Sequence, residues 1–479
     1  MKILKKEITG NYEIVVRFIG GIYEPARVFF SADADLSIRC FLEPTREGFR
    51  IGRIAKGRTD IWKEYRGKIR NDASMSVRII KTGNCYRFWV NELTGHMVHP
   101  RGIWEGFAEP WTSWIGFEGD IPVQELVVHE LPWLARSDKP VIPYGPKGSF
   151  YEEQAIPGGI IEKDGLYYMY FMAGMAGDEE GASRRTVGVA TSRDLENWQV
   201  HDKPVIRLGD RGFDYDNLYP GSALILNDGR VAVVYAAQKF PRWIGFFLAT
   251  ADHPLGPFKI YQEGPIYKHF NDYAHEFDLI EAKAKEGRYM LFYSGFTEKP
   301  ADGGPTGDRG YICWSDDLIH WRRHHPWPAF LPETKDNWDG EHIRPRGINR
   351  IGEYWYLWYE GCYPWKPPGT NRCSWWDMTG LARSKDLKNW EYFPWNPCLP
   401  STGMEVHPEG FWLAWPRMWI KEDTCYIFYT SSGSHPDKAF REKTAHDRLN
   451  LPSIGLRKTS VHELTKWDSK YGRTFNLLG

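Results

Sequence analysis

The 479-residue sequence has no excess of charge of either sign, since 61 Lys and Arg stand against 62 Asp and Glu. Without a net field nothing draws nucleic acid or a membrane surface to it from a distance, so neither is an expected partner. No apolar run approaches the length of a spanning helix. The opening MKILKKEITGNYEIVVRF lacks the apolar core of about 7 to 15 residues that marks a secretory leader. A cytoplasmic chain is expected. Cysteine is scarce: seven residues, at 40, 85, 313, 362, 373, 398 and 425, an odd number with no CxxC pair. That pattern argues against a disulfide framework and against a zinc site, and predicts reduced thiols that serve packing.

What is abundant is aromatic. Phe, Trp and Tyr make up 15% of the chain, with 23 Trp and 26 Tyr, on a background that is 42% hydrophobic and 26% charged. Such a share favours strands, or ligands with flat apolar faces such as sugars.

A short phrase recurs: TSRDLENW at 191–198, WSDDLIHW at 314–321, RSKDLKNW at 383–390 and TSVHELTKW at 459–467, with a divergent copy LATADHPLGPFKI at 248–260. The aromatic ends of these phrases, Trp198, Phe258, Trp321, Trp390 and Trp467, are spaced by 60 to 77 residues. Each copy follows a short apolar strand, and its Ser and Asp side chains suit a tight turn while the aromatic packs on the sheet. Upstream in every unit lies a turn followed by an aromatic strand: KDGLYYMYF, NDGRVAVVY, KEGRYMLFY, IGEYWYLWY and EDTCYIFY. An apolar strand precedes each of these. The order within a unit is therefore a four-stranded meander, and radial repetition of such meanders gives a five-bladed β-propeller.

Residues before about 134 lack both signatures but alternate in the manner of strands, as in YEIVVRF, ARVFFSA and YRFWVN. The expected organisation is all-β: a β-sandwich of concanavalin or laminin-G type over 1–134, a Pro- and Gly-rich linker over 135–149, and the propeller over 150–479.

In a propeller the innermost strands line a central channel, so polar residues at their starts converge on one mouth. Glu153, Asp216 and Glu341 each lie four residues before a proline, at 157, 220 and 345, and so present carboxylates at one equivalent position. The third unit has no matching proline, which leaves Glu276 and Asp278 as alternatives there. Carboxylates that share a cavity repel each other, which separates their proton affinities and lets one act as acid and another as base. Glycoside cleavage needs such a pair. Glu152, Asp214, His275, His342, Arg344, His407 and Arg417 fall near the same mouth as candidate substrate contacts, and Trp365 and Trp375 in CYPWKPPGTNRCSWWDM can wall a sugar subsite. No cofactor is required, although His275, His342 and His407 leave room for a single metal ion, calcium, on the axis.

These hairpins, turns and inner-strand acids resemble the five-bladed propeller glycoside hydrolases of families 43, 32 and 117, over about 330 residues. The resemblance implies a carboxylate base or nucleophile from the first blade (Glu153, or Glu152), an orienting Asp from the second (Asp216, or Asp214) and a Glu acid from the third (Glu276, with Asp278 as competitor). The sequence departs from the pattern in having Glu rather than Asp in blade one and its sandwich at the N-terminal side. The expected function is hydrolysis of glycosidic bonds in a plant or algal oligo- or polysaccharide. A glycoside phosphorylase, with Arg344, Arg346 and Arg417 holding phosphate, and a non-catalytic carbohydrate-binding propeller are the alternatives.

Overall fold

A computed structural model of the chain describes residues 7–9, 12–19, 26–33, 35–67, 74–82, 85–91, 93–98, 112–119, 123–130, 135–136, 140–175, 184–208, 216–239, 242–262, 264–269, 274–296, 308–332, 338–340, 342–362, 378–399, 412–432, 452–467 and 474–476. Among these residues there are five antiparallel meanders of four strands, and each begins with its inner strand: Gln154–Lys163, Asn217–Ile225, Ala274–Ala284, His342–Ile351 and Trp412–Lys421. The inner strands adjoin in sequence order, and the fifth returns to the first. Their order closes a ring.

Period-two alternation in the second strand of each blade explains the closure, because successive side chains point to opposite neighbours. In Val231–Lys239, Val231, Val233 and Tyr235 pack on blade one with Tyr170 and Val187, whereas Ala232, Val234 and Ala236 pack on blade three with Phe277 and Tyr293. Equivalent apolar layers join blades three and four around Phe292 and Leu357, four and five around Trp358 and Ile427, and five and one around Phe428 and Phe171. Strands buried on both faces read as continuous apolar runs, which is why VAVVYAA shows no polar alternation.

The recurring turn is stabilised from within. Ser192 Oγ accepts from the amides of Asp194 and Leu195, Asp194 Oδ1 accepts from those of Glu196 and Asn197, and Trp198 Nε1 donates to the Leu195 carbonyl at 3.0 Å. Leu195 takes a positive φ of 67° to make the bend. Blades three and four repeat this with Ser315, Asp317 and Leu318 (φ 69°) and with Ser384, Asp386 and Leu387 (φ 60°). In blade five the same phrase winds into a short helix, α1 (Val461–Thr465), capped by Ser460 Oγ.

The sandwich packs a five-stranded sheet on a six-stranded one around Tyr12, Ile14, Val16, Phe49, Ile51, Val77 and Phe88. The segment expected as a linker is structured where it is described. Ala135–Arg136 pairs antiparallel with Arg457 and Lys458 as the outer strand of blade five, and Ile142 bridges Ile454. At the other end Thr474–Asn476 leaves the propeller and adds to Val123–Glu130 of the sandwich. Chain boundaries and structural units therefore do not coincide: strand pairing carries the N-terminal part into the last blade and the C-terminal part into the sandwich.

Because the three turn carboxylates each collect several amide donors, Asp317→Ala and Asp386→Ala should each lower stability by about 1 kcal/mol, by analogy with loss of a helix cap. The two changes lie in different blades and should add. Urea denaturation of the single and double variants checks both statements.

Candidate active site

The inner strands are not regular. Each carries a one-residue bulge near its start, blade three a second one between Glu281 and Ala284, and a bulge re-aims the side chains beside it. In blades one, two and four the extra residue follows the proline, between Pro157 and Ile160, Pro220 and Ser222, and Pro345 and Gly347. In blade five it lies between Ala414 and Arg417. Blade three differs: its bulge precedes the equivalent residue, Phe277, and falls between Ala274 and Phe277. That displacement is why the third unit has no proline register, and it puts Glu276 at the bulge. Gly221 of blade two makes room for Phe277, since a Cβ there would meet the Phe277 ring at 2.4 Å.

Glu276 is 7% exposed and faces two guanidiniums of blade four. Arg346 contacts its Oε1, and Arg344 Nε lies 3.3 Å from its Oε2. Arg344 Nε also donates to Asp308 Oδ2 at 2.6 Å, and Arg344 Nη1 donates to Glu360 Oε1 at 3.0 Å. Arg346 Nε donates to the other oxygen, Glu360 Oε2, at 3.0 Å. Asp308 and Glu360 are each 1% exposed. Thus two arginines two residues apart on one strand tie together three carboxylates from three other strands. Alternate residues of a strand share a face, and the pair keeps to one cluster although Arg346 lies in the bulge between Pro345 and Gly347.

His342 opens the same strand and sits beside the cluster. The Asp308 amide donates to its Nδ1 at 3.4 Å, which leaves the proton on Nε2. Burial first and then the Arg344 charge lower its pKa to about 4 from 6.5, so it is neutral at physiological pH. Tyr219, from blade two, lies within electrostatic reach of Glu276 and Arg346. Its hydroxyl receives Arg185 Nη1 and donates to Gln238 Oε1 at 3.1 Å, while burial raises its pKa.

Arg417 reaches across the ring. From the inner strand of blade five its Nη2 donates to the Phe277 carbonyl of blade three at 2.7 Å. Blades three and five are not neighbours, so this guanidinium spans the channel. It is 5% exposed, and burial lowers its pKa to about 10, which still leaves it protonated at neutral pH. One nitrogen of Arg417 thus serves as an internal strut, while its Nε and Nη1 are buried without a hydrogen-bond partner. Among the described residues no group of three His, Cys, Asp or Glu has metal-binding geometry.

Two further candidates are tied to protein groups. Asp278 is not a free acid: Oδ1 accepts from Ser222 Oγ of blade two at 2.7 Å and Oδ2 from the Ile348 amide of blade four at 2.9 Å. It straps three blades together. Glu152 turns into its own loop, where Oε2 accepts from the Gly148 amide at 2.5 Å. Glu153 and Asp216 lie half-buried immediately ahead of the first and second inner strands, at the same end as Glu276. Arg344 belongs to the cluster, although its donors meet protein carboxylates. Asp214, Glu341, Trp365, Trp375 and His407 lie outside the described residues, as does the side chain of His275. Sequence reasoning missed Asp308 and Glu360. Asp308 opens a third strand rather than an inner one, and neither residue sits in a recurring phrase; Glu360 carries the weak signal of a charge at the end of the apolar run YWYLWYEGC.

No family model matches the sequence, and no curated protein does. Solved structures do. A glycoside hydrolase superposes with a TM-score of 0.52 at 15% identity, over 69% of this chain and 92% of that one. A glycosyl hydrolase from Bacteroides ovatus gives 0.50 at 14% identity, over 73% and 99%. The fold is that of the propeller glycoside hydrolases. At this identity the likeness speaks for the fold, and the chemistry must be argued from the residues.

Two outcomes test the site as built. Asp278→Ala removes two hydrogen bonds to a carboxylate and should cost about 3 kcal/mol, read as a lower urea midpoint. For His342 the folded pKa of about 4 lies below the unfolded 6.5. Its contribution is full above pH 6.5 and is lost as pH falls toward 4, because only the unfolded imidazole takes up a proton in that window. Stability measured from pH 7 to 4 should therefore fall less steeply in His342→Gln than in the parent.

Proposed function

We propose that the protein is a glycosidase that hydrolyses glycosidic bonds of an oligo- or polysaccharide of plant or algal type, with Glu276 as the anionic member of its catalytic pair. The observation that carries this reading is the clamp on Glu276: a carboxylate on the bulge of an inner strand, touched on both oxygens by guanidiniums. Opposite charges at this distance favour its ionised form. An ionised carboxylate suits attack on the anomeric carbon, activation of water or stabilisation of oxocarbenium charge, and does not suit proton donation. The proton donor is then assigned to the half-buried carboxylates at the starts of blades one and two, Glu153 or Asp216. This exchanges the roles that the family resemblance implies for blades one and three.

The same clamp bears on phosphorolysis. A phosphate nucleophile needs cationic donors free to receive it; Arg344 and Arg346 direct donors at Glu276, Asp308 and Glu360, whereas Arg417 Nε and Nη1 are buried without a hydrogen-bond partner, so phosphorolysis stands as the second reading. Hydrolysis needs only water.

Leaving-group dependence separates the roles of Glu276. With Glu276→Gln, kcat should fall by about 10²- to 10⁴-fold on nitrophenyl and on alkyl glycosides alike, with the far-UV spectrum of the folded protein retained. A loss confined to the poor alkyl leaving groups would make Glu276 the acid instead, and turnover near that of the parent on both would remove it from the mechanism.

A further inference from the structure

One guanidinium at the mouth has no carboxylate to answer it. Arg185 lies at the start of the third strand of blade one (Arg184–Ser192), paired with Gly174, which itself stands opposite Gln154 at the start of the first inner strand. The same residue bridges Asn217 at the start of blade two. It is therefore placed, half-buried, at the seam of blades one and two and at the end of the ring where the inner strands begin. Its Nη1 donates to the Tyr219 hydroxyl, its guanidinium carbon lies 5.1 Å from the centre of the Tyr219 ring, and its Nε is buried with no hydrogen-bond partner. Among the described residues no ion pair joins it to a carboxylate.

Tyr219 fixes where that charge sits. It precedes Pro220 as Glu276 precedes Phe277, and Pro220 and Phe277 stand opposite Tyr235 and Tyr293 of the second strands, so Tyr219 and Glu276 occupy one level of adjacent inner strands. Gln238 Oε1 accepts from the Tyr219 hydroxyl at 3.1 Å and from Asn217 Nδ2 at 3.0 Å, which leaves a lone pair of the hydroxyl oxygen for Arg185. A neutral acceptor thus orients the guanidinium without neutralising it. The other arginines of the site differ. Arg344 and Arg346 face Glu276, Asp308 and Glu360, and Arg417, although two of its nitrogens lack acceptors, lies within electrostatic reach of Asp278, Glu276 and Glu360. A half-buried cation without an anion is costly, and functional sites are where a ligand supplies the missing charge.

Given the glycosidase reading above, on which this step rests, we infer that Arg185 is a specificity-determining residue that receives an oxyanion beside Glu276, carried into the site as the carboxylate of a uronic acid ring. The planar guanidinium matches such a group in shape as well as charge. Glu276 does not oppose it, since Arg344 and Arg346 already face both of its oxygens. Free phosphate presents the same chemistry, and assays with and without it separate the two sources.

The full chain is assayed on matched nitrophenyl hexuronides and hexosides, each with and without inorganic phosphate. The parent should prefer the hexuronide. In Arg185→Gln the ratio of kcat/KM for hexuronide over hexoside should fall by about 10- to 100-fold, mainly through KM, as loss of hydrogen bonds between charged groups requires. Arg185→Lys keeps the charge without the fork and should fall between the two; it decides by the same ratio if Arg185→Gln does not fold. Turnover of neutral glycosides that requires phosphate, with a KM for phosphate raised about tenfold or more in Arg185→Gln, would sustain the oxyanion site, make phosphate its occupant and replace hydrolysis by phosphorolysis. A parent that prefers the hexoside and does not respond to phosphate, or a ratio unchanged in the variants, overturns the inference. If the parent turns over none of the panel, the glycosidase reading fails by itself. Calorimetric titration of methyl hexuronides and of phosphate then decides the inference: binding of either that weakens about tenfold or more in Arg185→Gln sustains it, and binding equal in both proteins, or none, ends it.

Discussion

Two guanidiniums on one strand hold the centre of this molecule. Burying three carboxylates and two arginines costs several kcal/mol per ion before pairing, and the cluster is tenable because each charge faces an opposite one, Asp308 and Glu360 through directed hydrogen bonds. The pairs also cross strand and blade boundaries. Glu276 and Asp308 come from blade three, while Arg344, Arg346 and Glu360 come from blade four. Removing one partner would leave a buried charge uncompensated, at about 3 to 5 kcal/mol. The position of Glu276 is therefore fixed by the same contacts that fix the seam between blades.

Much of the fold was legible because its signals are local. A Ser, an Asp two residues on, a Leu that bends the chain and a Trp three residues later make a turn whose hydrogen bonds close within seven residues, as Ser192 to Trp198 shows. Such a unit carries its structure wherever it occurs, and its repetition exposed the meanders. The aromatic strands were equally plain, because a strand buried on both faces has no reason to alternate. Legibility failed where one residue of slack decides the outcome. The bulge of blade three moved from one side of Phe277 to the other, and no count from a flanking turn registers that shift. Glu276 and Asp278, two residues apart on one strand, consequently took different fates, one in the arginine clamp and the other strapping blades two and four. Asp308 and Glu360 stayed hidden for a related reason: they are recruited by proximity in the ring, and proximity in the ring leaves no spacing in the sequence.

The sandwich and the propeller exchange strands, and that exchange bears on the hub. Blade five owes its outer strand to Ala135–Arg136, which lies ahead of blade one in the chain, so the ring closes only when segments more than 300 residues apart meet. Closure of a long loop costs more entropy than a short one but only logarithmically, and a few strand hydrogen bonds with the Ile142 to Ile454 bridge suffice to offset it. Once closed, the ring sets the span that Arg417 must cross to reach Phe277, and the distance of 2.7 Å leaves little slack. A channel bridged by a protonated side chain resists radial loosening on that line, because opening it would strip a buried guanidinium of an acceptor. The strand exchange at the rim and the guanidinium at the centre thereby constrain the same degree of freedom, the separation of blades five and three. Glu276 and Trp415 project from those two blades toward the shared arginine of blade four, so the rigidity of the ring fixes their relative positions.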